Sequence, residues 1–324
     1  MAQDTVLTVR DLQKYYKVKS SKLFGEKRYV HAVDEVSFEI KKGETLGLVG
    51  ESGSGKSTLG RQIVGLEKPD KGEILFNGTQ KRGMNTSVQM IFQDPYSSLN
   101  PRKYIYDILA APLLYNKICT KTDVEAKIDE LLEAVGLPQS AKNRYPYEFS
   151  GGQRQRIMIA KVLSLNPEFI VCDESVSALD VSIQAQILNL LRKLQEERKL
   201  TYLFIAHGLG AVRYVSDRIA VMYLGKIVEI ADSNTIFRNP IHPYTKMLVE
   251  SAPIPDPKYR NREIILTEDE IPSAENPPDG CRFHTRCPYA TDRCKNECPQ
   301  LVSVDKDGEE ERQVACFRYK EIHA

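Results

Sequence analysis

Residues 50–58 read Gly50-Glu51-Ser52-Gly53-Ser54-Gly55-Lys56-Ser57-Thr58, a run of the form G-x-x-x-x-G-K-[ST]. Each residue type in it has a use in holding phosphate. Glycines let successive backbone N–H groups turn inward around phosphate oxygens, and a helix that starts just after them adds the positive end of its dipole. Lys56 has the reach for β- and γ-phosphates, and the Ser57 hydroxyl is a hard oxygen ligand for Mg²⁺. A Gly/Ser turn with a chance lysine is the bland alternative. The apolar strand ETLGLVG before the run and the helical pattern after it argue against that.

Two more groupings carry chemistry. Asp173 ends the apolar run FIVC, and Glu174 follows it. Carboxylates at the C-terminal edge of such a strand sit where α/β sheets bind ligands. There Asp173 suits a water-mediated contact to Mg²⁺, and Glu174 suits orienting or deprotonating an attacking water; a solvated acidic turn is the alternative. The second grouping is Ser150-Gly151-Gly152-Gln153, followed by Arg154-Gln155-Arg156. A plain helix cap explains Ser150. It does not explain two glycines and then cations at a helix end that favours anions. A helix start with bare backbone donors is a second anion site. One chain cannot readily apply both sites to one γ-phosphate, so the second is expected to serve a partner's nucleotide.

The seven cysteines are unevenly spread. Cys119 and Cys172 lie in the body of the chain, whereas Cys281, Cys287, Cys294, Cys298 and Cys316 crowd into its last part. In a reducing compartment such crowding reads as metal ligation before disulfides. Cys281, Cys287 and Cys294 are spaced C-x5-C-x6-C, with a proline directly after Cys287, and these long spacings predict a [4Fe–4S] cluster. The Cys294-x3-Cys298 pair keeps zinc as an alternative, and inert buried thiols are a third reading. Proximity favours Cys298 as the fourth ligand.

These groups need a scaffold, and the pattern supplies one. Residues 4–40 alternate apolar and polar positions, which predicts short antiparallel strands with a polar loop at about 17–28. Beyond the glycine-rich loop and a helix from Lys56, TDVEAKIDELLEAVGL predicts a helix capped by Thr122 with Glu125 and ended by Gly136. Further helices are expected from Ser150 and over SIQAQILNLLRKLQEERK, and buried strands at FIVCDES and TYLFIAH. Strands alternating with helices imply a mostly parallel sheet, with a helical subdomain inserted at about 95–165. From about residue 238 prolines become frequent and periodicity fades, so 1–237 and 238–324 read as a cassette and a separate extension. The chain has 324 residues, 41% hydrophobic and 27% charged, with Lys+Arg 45 against Asp+Glu 44. That balance gives no bulk pull on nucleic acid or anionic lipid. With no apolar run of membrane-spanning length and no apolar signal core at the N-terminus, the chain is expected to stay in the cytosol, held at any membrane by other chains.

Taken together, the loop at 50–58, Gln93 in IFQDP, SGGQ at 150–153, Asp173-Glu174, SALD at 177–180 and His207 resemble, in order and spacing, an ABC transporter ATPase subunit. The resemblance implies an α/β, P-loop NTPase core with an N-terminal antiparallel β subdomain, an inserted helical subdomain and an irregular C-terminal cysteine-containing extension. It implies ATP held by Gly50, Glu51, Ser52, Gly53, Ser54, Gly55, Lys56, Ser57, Thr58 and Gln93, with Tyr16 stacked on adenine. Tyr15, which points to the other side of the strand, is the alternative to Tyr16. Mg²⁺ would be held by Ser57, Gln93 and Asp173. Glu174 and His207 would be catalytic, a satisfied strand-end histidine being the alternative for His207. Ser150, Gly151, Gly152 and Gln153 would close on a partner's ATP, with Asp180 in the D-loop. Serine at 175 and glycine at 208 depart from the family's proline and aspartate; neither removes a charge the reaction needs, and some local flexibility is expected there.

GETLGLVGESGSGKST, QMIFQDPYSSLNPR, EFSGGQRQRI, VMYLGKIVEI, NPIHPYTK and GCRFHTRCPYA further resemble oligopeptide and dipeptide importer ATPases, and SSKLFGEKRYVHAVDEVSF the "F" type of their paired subunits. That resemblance favours Cys316, in a VAC segment, over Cys298 as the fourth cluster ligand. It implies an ATPase working at the cytoplasmic face of the cell membrane with a second, unlike ATPase subunit, two permease subunits and an extracytoplasmic peptide-binding protein, and no nucleic acid. An importer for nickel or another small solute, a non-transport ABC ATPase, an exporter subunit and a redox or iron sensor are the rivals.

Overall fold

The structure, a computed structural model, describes residues 4–18, 28–80, 85–94, 98–177, 179–206, 208–251, 272–304 and 312–322. Most of the expected loop at 17–28, and much of the Pro-rich stretch after 251, fall outside them.

Two sheets carry the chain. Strands β1 (Thr5–Lys17) and β2 (Tyr29–Lys41) pair antiparallel, joined by β4 (Lys71–Phe76) and β5 (Thr79–Gln80) in the order β2-β1-β4-β5. These strands are longer than the expected short ones. Register shifts absorb the length, and Asp11 (φ 45°) and Glu35 (φ 54°) turn into the left-handed region near them.

The second sheet runs β11-β12-β10-β9-β3-β8-β7-β6. Its parallel part consists of β3 (Thr45–Val49), β6 (Val88–Ile91), β7 (Phe169–Asp173), β8 (Thr201–Ile205) and β9 (Arg218–Tyr223). Every residue of β3, β7 and β8 is buried, which is why these segments are continuous apolar runs and not alternating ones. β10 (Lys226–Asp232) pairs antiparallel with β9, and β12 (Gln313–Val314) with β10 and with β11 (Val302–Ser303), so residues from the end of the chain extend this sheet.

One core lies between the two sheets, built from Leu7, Leu12, Ile40, Leu46, Leu48, Leu59 and Ile63 among others. The other lies on the helical side. There helices α2 (Ile105–Tyr115), α3 (Val124–Ala134) and α4 (Gly151–Leu163) bury Leu109, Leu113, Ile128, Leu132 and Ile157 together. The start of α3 differs from expectation: Asp123, not Thr122, is at the cap position, and no side chain caps it. The Thr122 hydroxyl instead lies 2.7 Å from that of Thr120, which also bonds Asp123, so local hydroxyl–carboxylate contacts outcompete the capping box. Among the described residues no helix is long and apolar enough to cross a membrane.

Between β3 and helix α1 (Lys56–Val64) the loop passes through left-handed backbone at Gly55, whose φ is 102°. A Cβ there would stand 1.8 Å from the Ala32 carbonyl oxygen, whereas one on Gly53 (φ 77°) would meet nothing within 4 Å. Both substitutions to alanine strain the backbone by about 1–3 kcal/mol, and only the first adds a backbone clash. Gly55→Ala is therefore expected to lower stability in chemical denaturation clearly more than Gly53→Ala. Equal losses would contradict the close approach of Ala32.

Candidate functional site

The loop at 50–55 leaves the central strand β3, and the Asp173-Glu174 pair leaves β7, two strands away across β8. Both therefore meet at the C-terminal edge of the parallel sheet. Lys56 is 4% exposed and folds into its own loop. Its Nζ donates to the carbonyls of Gly50 (2.8 Å) and Glu51 (2.9 Å) and to Ser54 Oγ (3.3 Å). Burial lowers the pKa of this ammonium to about 8, against the pull of Glu174, Asp173 and Glu51.

Ser57 Oγ donates to Asp173 Oδ1 at 2.8 Å. Burial pushes the Asp173 carboxyl above its usual range, and this hydrogen bond opposes the shift. Two hard oxygens side by side fit Mg²⁺, which takes one or two protein ligands and completes its shell with phosphate and water. Glu174 has a left-handed φ of 47°, which turns the chain off the strand end. Its N–H donates to the Ile205 carbonyl (2.9 Å), and the Ser177 hydroxyl donates to its carbonyl (2.9 Å). Gln93 Nε2 donates to Glu174 Oε2 at 2.7 Å. The expected residues Gln93, Asp173, Glu174, Lys56 and Ser57 thus gather at this sheet edge through three contacts, Lys56 on its own loop, Ser57 on Asp173 and Gln93 on Glu174.

At the end of β1, Tyr15 and Tyr16 separate as alternation requires. Tyr15 stacks on His31, ring centroids 4.2 Å apart, and its hydroxyl bonds Asp34. Tyr16 bonds Glu67, is influenced by Thr58 of the loop, and has Lys14 Nζ 5.5 Å from its ring centre. Tyr16, not Tyr15, is therefore on the loop's side.

Ser150 caps helix α4 in a reciprocal box: its hydroxyl accepts from the Gln153 N–H (3.4 Å), and its own N–H donates to Gln153 Oε1 (3.1 Å). Ser150 and Gln153 are exposed. Cβ atoms on Gly151 and Gly152 would approach Leu179 (3.3 Å) and Ile183 (2.5 Å), so the glycines let this helix start lie against the segment after β7. The two arginines have a different use from the one their sequence suggested. Arg154 Nε donates to the Pro146 carbonyl (2.8 Å), and Arg156 Nη1 to the Val135 carbonyl at the end of α3 (2.7 Å); both secure the helical region. Asp180 is exposed and precedes helix α5 (Val181–Arg198) without capping it. His207 lies outside the described residues.

The metal expectation is corrected. Cys281, Cys287, Cys294 and Cys316 line one small cavity of about 20 Å³ with His242 and Phe283, and Cys298 does not. Yet among the described residues no group of three or more His, Cys, Asp or Glu is placed to hold a metal ion. This overturns the iron–sulfur cluster and its zinc alternative alike. Burial pushes the thiols of Cys281 to about 12, of Cys316 to about 11, and of Cys287 upward. Protonated and half-buried, they act as small apolar side chains, and Cys281 and Cys287 pack on the main core.

Two residues of the last part of the chain escaped sequence reasoning. The Glu51 N–H donates to the Tyr244 hydroxyl at 2.9 Å, and Arg286 Nη1 donates to both Glu51 carboxylate oxygens (3.2 and 3.0 Å). The segments NPIHPYTK and GCRFHTRCPYA, with aromatic and cationic residues amid prolines, were the signal.

Comparison with known proteins places this geometry. Residues 33–177 match the ABC transporter family model, and 228–294 match that of the oligopeptide/dipeptide transporter C-terminal region. The oligopeptide transport ATP-binding protein AppF of Bacillus subtilis (strain 168) is 49% identical over 327 residues, 98% of each chain. The di/tripeptide transport ATP-binding protein DppF of Pseudomonas aeruginosa (strain UCBPP-PA14) is 46% identical over 98% of this chain and 99% of its own. Among solved structures, cbiO1 of Clostridium perfringens, part of the ABC transporter complex cbiONQ, aligns with TM-score 0.63 at 26% identity over 73% of this chain and 92% of that one. The dimeric ATP-binding cassette MJ0796 bound to ADP and Pi aligns with TM-score 0.61 at 26% identity over 70% and 98%. With such similarity running from end to end, the chain belongs to the ABC transporter family, among the ATP-binding subunits of oligopeptide and dipeptide transporters.

Proposed function

We propose that this chain hydrolyses ATP to power import of oligopeptides or dipeptides through a membrane permease. The observation that carries the reading is that the contacts Lys56–Glu51, Ser57–Asp173 and Gln93–Glu174 gather at one sheet edge. The loop from Gly50 to Thr58 binds the phosphates, and Tyr16 stacks on adenine. Mg²⁺, when bound, would be held by Ser57 and, through water, Asp173, with Gln93 nearby, and neutralises phosphate charge. Glu174 accepts a proton from, or orients, the water that attacks the γ-phosphorus as the bond to the β–γ bridging oxygen breaks. Gln93 keeps that carboxylate aimed. His207 supports the γ-phosphate. The exposed Ser150–Gln153 helix start, with Asp180 beside it, closes on the nucleotide of a partner ATPase subunit.

In this reading residues 1–237 form the cassette and 238–324 the extension. Two unlike ATPase subunits sit on two permease subunits at the cytoplasmic face of the membrane, fed by an extracytoplasmic peptide-binding protein. ATP stabilises only the closed pair, so binding closes it and hydrolysis opens it. The peptide transport named in relatives that match nearly the whole chain favours peptides over nickel, and over a non-transport role.

Glu174→Gln, in a complex whose partner glutamate is changed as well, is expected to keep ATP binding and lose turnover, read as phosphate release. Undiminished turnover removes Glu174 from its role. Lys56→Ala is expected to weaken MgATP binding by about 1.5–3 kcal/mol, the worth of a charge-assisted contact.

The depressed Lys56 pKa gives a second test. Near its value of about 8 the free site is partly deprotonated. Phosphate charge restores the ammonium, so MgATP binding at that pH takes up a fraction of a proton. At about pH 6.5 the lysine is already charged and the uptake vanishes. Calorimetry in buffers of different ionisation enthalpy measures this, and uptake that is equal at both pH values, or absent at both, contradicts it.

A further inference from the structure

Glu51 is gripped through three separate groups. Its carboxylate takes Arg286 on both oxygens, its N–H donates to the Tyr244 hydroxyl, and its carbonyl accepts from Lys56 Nζ. The first two grips come from the last part of the chain and the third from the loop's own lysine. Neither outside group is a surface chance. Tyr244 is fully buried, with ring centroids 4.5 Å from Tyr223 and 5.4 Å from Phe283. The Arg286 side chain is 7% exposed, and its guanidinium lies 6.0 and 5.8 Å from the ring centres of the same Tyr223 and Phe283. Tyr223 ends β9, and the turn just after it sends the Gly225 N–H to the Ser54 carbonyl (2.9 Å). The loop is thus fastened from outside at Glu51 and Ser54.

We propose that Arg286 and Tyr244 are positioning residues for nucleotide binding: they hold Glu51, and through its carbonyl Lys56, in the arrangement that receives phosphate. The inference rests on the reading of residues 50–58 as the ATP site. A loop ordered before binding loses less conformational freedom when the ligand arrives, so its affinity is higher without any new ligand contact. Such an effect is felt equally by bound substrate and transition state. Its loss therefore raises KM and leaves kcat nearly alone. A mere staple for the C-terminal segment would change melting temperature and neither constant.

The test uses the full-length chain for binding and the assembled transporter for hydrolysis, with MgATP as the probe. Arg286→Ala is expected to weaken MgATP affinity and raise KM about five- to tenfold, less than a whole charge-assisted hydrogen bond because the contact reaches the nucleotide only through Glu51, with kcat within about twofold. Arg286→Lys is expected to recover part of the loss. Glu51→Gln, a change of charge without change of shape at a partly exposed side chain, is expected to shift KM in the same direction. The double variant Arg286→Ala/Glu51→Gln is expected to be no worse than the weaker single, because both remove one interaction. If Arg286→Ala does not fold, Glu51→Gln alone decides: an unchanged KM overturns the proposal. A wild-type KM in Arg286→Ala with a lowered melting temperature also overturns it. Should the wild-type chain itself fail to bind MgATP, the reading of the ATP site falls, which is a distinguishable outcome.

Discussion

An ammonium that is 4% exposed cannot be left to solvent, and the site is organised around holding that of Lys56. Desolvation works against its charge, and Glu174, Asp173 and Glu51 work for it. Its three donors are met by two carbonyls of its own loop and the Ser54 hydroxyl. The carbonyls of Gly50 and Glu51 must therefore face the lysine, and the chain has to wind back on itself within a few residues. The left-handed turn at Gly55, close under the Ala32 carbonyl, makes that winding feasible. The carboxylates, for their part, must stand near a cation without neutralising it outright. The parallel sheet achieves this by starting the loop on β3 and ending the acidic strand β7 across one intervening strand.

The two helix starts show how similar backbone donors reach different ends. At Lys56 the helix begins inside the site, with its lysine folded back over the loop. At Ser150 the first donors are already satisfied in part by the capping box, and the segment faces outward. Arg154 and Arg156 leave the anion question to the backbone, since their guanidiniums are used on the carbonyls of Pro146 and Val135. That makes the outward helix start a rigid platform and not a free basic patch.

Legibility in the sequence followed distance along the chain. The phosphate loop, the acidic pair at a strand end and the Ser150 cap are all local patterns, in which a few consecutive residues determine backbone geometry. The helices from Lys56, Ser150 and Val181 follow from the same kind of signal. Gln93 and Tyr16 entered through resemblance. The contact between Arg286 and Glu51 spans 235 residues, and no periodicity encodes it. Local reasoning failed where two uses of one residue type compete. Thr122 had the letters of a cap but closer partners in Thr120 and Asp123. The arginines after the glycines had the charge for an anion but nearer carbonyls. The cysteines had ligand chemistry, but their fold placement makes them lining for an apolar cavity, where burial keeps the thiols protonated.

Among the described residues after 272, the buried apolar side chains are Phe283, Cys294, Val314 and Ala315, and polar contacts do the rest of the attachment. Glu229 on β10 is 0% exposed. It accepts from the backbone N–H groups of Ile241 (3.0 Å) and His242 (2.9 Å) and from Arg312 Nη2 (2.7 Å). A carboxylate buried so completely is tolerable only with its lone pairs met, and taking one partner away costs about 3–5 kcal/mol. Every one of those three donors comes from residues after 240, as do Arg282 on Asp34 and Arg286 on Glu51. The sheet that positions the phosphate loop has thus placed a charge in its interior that its own strands do not satisfy. Residues after 240 complete it, which makes their arrangement a condition of the sheet's geometry and ties the shape of the loop at 50–55, through Glu51, to the packing of those residues.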